Sequence, residues 1–66
     1  MVDTARLKGI IAEHNDSQSK LARAIGLTPQ TFYKRMKKGV FGSDEIEIMI
    51  ERYEIEDPMP IFFKPK

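Results

Sequence analysis

Apolar residues in this chain recur at intervals of three and four, without sustained alternation, and that spacing predicts helices from end to end. Leu7, Ile10 and Ile11 give the inward stripe of a first helix from about Asp3 to His14, with Asp3 suited to its N-terminus. Gly9 falls inside it at a cost of about 1 kcal/mol relative to alanine, which close packing against another helix would explain. Asn15-Asp16-Ser17 breaks the pattern, and Ser17 is placed to cap a second helix, Gln18 to Ala24 or Ile25, with Leu21, Ala22 and Ile25 inward. Thr28-Pro29 opens a third, to about Lys37, in which Phe32 and Met36 face inward. The loop from Lys38 to Gly42 carries Phe41, expected to fold back on the core. Ser43 then caps a fourth helix whose inward stripe is Ile46, Met49, Ile50 and Tyr53. Pro58 and Pro60 leave room for one short turn before Ile61-Phe62-Phe63. The expectation is an all-α fold: one domain over residues 1–66, a compact bundle of four helices plus a short fifth turn.

The second and third predicted helices are joined by only Gly26-Leu27-Thr28. Gly26 supplies the backbone freedom of a helix C-terminus, and Ala22, being small, lets the two helices approach closely. That is a helix-turn-helix over 18–38. Gln18, Ala22, Gly26, Leu27, Thr28 and Phe32 together resemble the helix-turn-helix of the phage repressor and Cro superfamily, also called the XRE family. Phe41 and Ile61-Phe62-Phe63 look like the small phage-encoded regulators of Gram-positive bacteria within it. The resemblance covers roughly Leu7 to Phe63. It implies a lambda-repressor-like DNA-binding fold and a Cro-like repressor acting on double-stranded operator DNA. One position departs from the frame: Arg35 stands where most members carry a buried aliphatic, and the apolar residue follows at Met36.

A net charge of +1 conceals a polarised chain. From Ser17 to Gly39 there are six cations and no acid; from Val40 onward seven acids face three cations. The basic block coincides with the helix-turn-helix, the footprint expected of nucleic-acid contact. The chain has no cysteine, which excludes disulfide scaffolds and thiolate zinc sites and fits a reducing compartment. No apolar run approaches the ~20 residues of a membrane span and no signal peptide is visible, so the expected location is the cytoplasm, which the resemblance to phage regulators implies is that of a bacterial host.

On a helical wheel with Phe32 at zero, the buried face centres near 20°, and Gln30 at about 160° and Lys34 at about 200° lie opposite it, flanked by Tyr33 and Thr31. These four are the candidate base contacts. Gln30 suits adenine, and Lys34 suits guanine acceptors or phosphate. Ser17, Gln18 and Ser19 at a helix N-terminus, Thr28 at the next, and Arg35, Lys37 and Lys38 are the candidate phosphate contacts. For Ser17 and Thr28 capping is the plainer role, and lysines on a free helix face are usually just solvated.

His14, Asp16 and Ser17 adjoin one another but cannot form a nucleophile–base–orienter arrangement, so no enzymatic activity is expected. No metal, cofactor or small-molecule substrate is expected either, and the acids of the fourth helix read as a solvated face. Ile61-Phe62-Phe63 cannot all be buried in so small a domain. Phe62 is the expected core residue, while Met59, Ile61 and Phe63 form an exposed apolar patch within 58–66; the resemblance to phage regulators implies a homodimer at least on DNA and makes this patch the candidate dimer interface. The alternative is a protein-interaction module, antirepressor or antitoxin-like, that keeps this fold and acts on another regulator.

Overall fold

Four polar groups at the predicted breaks start four helices in the computed structural model, which describes residues 1–65. The Asp3 carboxylate accepts the Arg6 amide at 3.2 Å and opens α1, Thr4–Glu13. The Ser17 hydroxyl accepts the Lys20 amide at 3.1 Å and opens α2, Gln18–Ala24. Thr28 accepts the Thr31 amide at 3.2 Å and opens α3, Pro29–Lys38. At α4, Ser43–Arg52, the expectation of a serine cap is corrected: Ser43 is already helical, and the Gly42 amide donates to the Glu45 carboxylate at 2.8 Å. A carboxylate one turn into the helix does that work as well as a hydroxyl in front of it.

The same four helices also end alike. One residue after each turns left-handed, at φ 53° for Asn15, 79° for Gly26, 72° for Gly39 and 50° for Glu54. The next amide then reaches back five residues, Asp16 to Ile11, Leu27 to Ala22, Val40 to Arg35 and Ile55 to Ile50, at 2.8–3.2 Å. This closure turns the chain sharply while satisfying the last carbonyls. Glycine meets the conformational demand at Gly26, which makes the α2–α3 turn tight.

Leu7, Leu21, Phe32, Met49 and Phe62 are the largest fully buried side chains, and Ala22 is fully buried with them. α2 packs on α3, and α1 on α5, Met59–Phe62. Phe41 does fold back: it is buried, with its ring 5.6 Å from that of Phe32. The inward stripe of α4 is as expected, with Ile46, Met49 and Tyr53 buried and Ile50 partly so. Residues 1–3 run between the end of α3 and α5, where the Val2 amide donates to the Gly39 carbonyl and the Asp3 amide to that of Ile61, at 2.9 and 2.6 Å. The architecture is the expected all-helical bundle, with no strand among the described residues.

Three expectations are corrected. The short turn does not precede Ile61 and Phe62 but contains them, because Pro60 sits in its first turn, where a missing amide costs nothing. Ile61 is buried, so of the residues assigned to an interface only Met59 and Phe63 stay exposed. The last residue of that segment, Lys66, lies outside the described residues. Gly9 is exposed, and a Cβ there would meet nothing within 4 Å, so no close packing explains it. Gly9→Ala should therefore stabilise the domain by about 0.5–1 kcal/mol; a thermal midpoint at or below that of the parent would contradict it.

An unforeseen tie locks the α1–α2 loop to α4. Asp16 accepts from the Arg52 guanidinium at 2.9 and 3.3 Å, from the Tyr53 hydroxyl at 2.7 Å and from the Ser17 amide at 2.9 Å. The Arg52 guanidinium, with the Tyr53 hydroxyl and the Ser17 amide, holds the Asp16 carboxyl well below the usual carboxylate range. Burial, reinforced by the hydrogen bond to Asp16, pushes the Tyr53 hydroxyl up to about 12. His14, 5.0 Å from the Tyr53 ring between centroids, places its Nδ1 2.8 Å from the Ile10 carbonyl.

Candidate nucleic-acid interface

The face of α3 opposite Phe32 and Met36 is exposed along its whole length, with Gln30, Tyr33, Lys34, Lys37 and Lys38 all in solvent. Proline at the first helical position and the Thr28 cap set where that face begins. Thr31 sits half-buried at its edge, its hydroxyl accepting from Thr28 at 2.9 Å, so both threonines belong to the cap. The Tyr33 ring stands edge-on to Phe32 at 6.2 Å, anchored beneath and 52% exposed above. Ser17, Gln18 and Ser19 are half-buried around the start of α2, where Ser17 already caps.

The charges divide sharply. Of the six cations between Ser17 and Gly39, Arg35 alone has an ion-pair partner among the described residues. Its guanidinium lies 2.6 Å from Glu45. Lys20, Arg23, Lys34, Lys37 and Lys38 stand exposed with no internal counter-charge, a concentration of positive potential around α2 and α3. The expected solvated acid face of α4 is corrected at Glu45, which is 9% exposed and binds both the Gly42 amide and Arg35. Arg35, expected as a phosphate contact, thus ties α3 to α4. The wheel could not reveal this, because the partner is ten residues away on another helix. The spacing of Gly42 and Glu45 did carry a signal for half of it, since an acid three residues after a helix start is the capping pattern.

The predicted site residues therefore separate into groups. Gln30, Tyr33, Lys34, Lys37 and Lys38 share the open face of α3; Ser17, Gln18, Ser19, Thr28 and Thr31 sit at the two helix starts; Arg35 is turned to Glu45. Lys20 and Arg23, which the sequence marks only as part of the basic block, are both exposed on α2. No helix among the described residues is long and apolar enough to cross a membrane.

Residues 1–39, which span α1, α2 and α3, match the family model described as bacterial regulatory protein, Fis family. No curated protein and no solved structure matches the chain. The match takes in the capped turn at Gly26, the buried Ala22 and the exposed face of α3. On this ground the chain belongs to the Fis family of bacterial regulatory proteins and is a helix-turn-helix DNA-binding domain.

Proposed function

We propose that this domain is a sequence-specific transcriptional regulator that lays α3 in the major groove of duplex DNA. Gln30, Tyr33 and Lys34, with Thr31 at the edge, meet base edges. Ser17, Gln18, Ser19, Thr28, Lys37 and Lys38 meet phosphates, and Arg35 contributes through its hold on Glu45. The observation that carries this reading is the set of unpaired cations around α2 and α3, in a domain that pairs its other arginines internally. The finer reading, a Cro-like repressor of phage type acting as a homodimer on DNA by occluding a promoter, rests on the frame from Gln18 to Phe32.

A salt titration on random-sequence duplex tests the first step. Binding should weaken steeply with salt, and Lys34→Ala and Lys37→Ala should each reduce the slope by about one if each neutralises one phosphate. On a site selected by the protein itself, Gln30→Ala should cost ~1–3 kcal/mol while leaving random duplex almost unaffected. Absent or salt-independent binding would sink the proposal and favour the protein-interaction module.

A further inference from the structure

Of the cations on α2 and α3, Arg35 alone is held by an acid among the described residues. It stands on α3 four residues after Thr31 and three before Lys38, spacings that put the three side chains in one row along the edge of the open face. Lys34 and Lys37 lie beside that row, both exposed. A guanidinium at this place could meet a phosphate with two parallel hydrogen bonds, a firmer hold than a lysine offers. Instead its Nη1 lies 2.6 Å from the Glu45 carboxylate of α4. We infer that Glu45 is an affinity-limiting residue: it withholds Arg35 from the DNA backbone, in the free domain and on duplex alike. The domain therefore holds any duplex more weakly than its cations allow. The inference rests on the DNA-binding reading above.

Burial decides the competition between carboxylate and phosphate. The Glu45 side chain is 11% exposed and that of Arg35 36%, so the pair is sheltered on the acid's side and open on the cation's. Were Arg35 to leave for a phosphate, it would exchange one anion for another with little gain. Glu45 would be left nearly buried, with the Gly42 amide at 2.8 Å as its remaining partner. A charged carboxylate stranded in that way is far costlier than an exposed one, so the exchange runs uphill.

One oxygen of Glu45, Oε1, accepts from both Gly42 and Arg35, yet its two roles can be separated. Glutamine at this position still offers an oxygen to the Gly42 amide, as the capping pattern allows. It is neutral, and a guanidinium bonded to a neutral acceptor gains by moving to a phosphate. The cap then survives while the cation is released.

The test is a salt titration of Glu45→Gln on random-sequence duplex, with its melting temperature compared with the parent's. One added phosphate contact should steepen the slope by about one and tighten binding on the order of 10-fold at about 0.1 M salt. Arg35→Gln/Glu45→Gln should return the slope to the parent's, because the released cation is gone. Glu47→Gln makes the same change in net charge at an exposed acid of α4 that has no ion-pair partner among the described residues, and should leave the slope close to the parent's. An unchanged slope in folded Glu45→Gln would overturn the inference and leave the DNA reading standing. So would a slope raised equally with and without Arg35, or raised equally by Glu47→Gln. Should Glu45→Gln fail to fold, the parent decides the matter: on random duplex the side-chain NMR signals of Arg35 should keep their free-state positions while those of Lys34 shift. Arg35 signals that move as far as those of Lys34 would overturn it. No binding of the parent to duplex at any salt would sink the DNA reading, and this inference with it.

Discussion

Phe62→Ala is expected to leave much of the domain unfolded, whereas Phe63→Ala, one residue on, should leave it folded. Phe62 is 2% exposed and Phe63 53% exposed, on adjacent positions at the end of α5. Truncating a buried phenylalanine costs ~3–5 kcal/mol, because the cavity left behind collapses only in part. A chain of this length has a total stability of roughly 3–10 kcal/mol, so the loss takes a large share of it. Phe62 also backs the backbone contact between Asp3 and Ile61, so its removal should release residues 1–3 and α5 together. Surface truncation at Phe63 should change stability by no more than about 0.5 kcal/mol. Urea denaturation of both variants, followed by far-UV circular dichroism, measures the difference. Equal midpoints would show that the burial of Phe62 does not hold α5 in place.

Asp16→Asn is expected to cost ~3 kcal/mol and to lower the thermal midpoint by roughly 15 °C. The carboxylate accepts from Arg52, Tyr53 and Ser17 at once, and the side chain is only 8% exposed. Asparagine keeps the shape but loses the charge that those donors stabilise. The same tie governs acid stability. Because the folded-state carboxyl is depressed below its unfolded value, its contribution is present above about pH 4 and disappears as pH falls further. Tyr53 acts at the other end: its raised value near 12 means that stability held below about pH 10 is lost as pH rises toward 12. As pH is lowered from about 6 to about 2, denaturation midpoints should fall steeply for the parent and much less for Asp16→Asn. Parallel curves would show that Asp16 does not carry the acid transition.

Much of the candidate site was legible because its determinants are local. Ser17, Thr28 and Gly26 act within one turn of their own position, so type and spacing sufficed to place the ends of α2 and the start of α3. Phe32 and Met36 set the phase of α3, which left Gln30, Tyr33 and Lys34 outward. Gly9 misled because a helical glycine suggests close packing, yet this one lies open to solvent and is a plain propensity cost. Ser43 misled because serine and glycine were both available to cap, and Glu45 made glycine sufficient. Ile61 was assigned outward because composition limits how much can be buried but does not rank neighbouring apolar residues.

The sequence by itself determined the helical phases, the tight turn between α2 and α3 and the separation of basic from acidic segments, since all three follow from neighbours within a few residues. Only the tertiary structure decided which charges remain available. Arg35 and Lys34 are adjacent cations on one helix, yet the first meets Glu45 from α4 while the second meets no acid among the described residues. It likewise decided that Asp16 binds Arg52 and Tyr53 across 36 and 37 positions, and that Met1, Val40 and Phe63 border one groove. Such pairings depend on how whole helices pack, and packing is a sum over many weak contacts that no local pattern records.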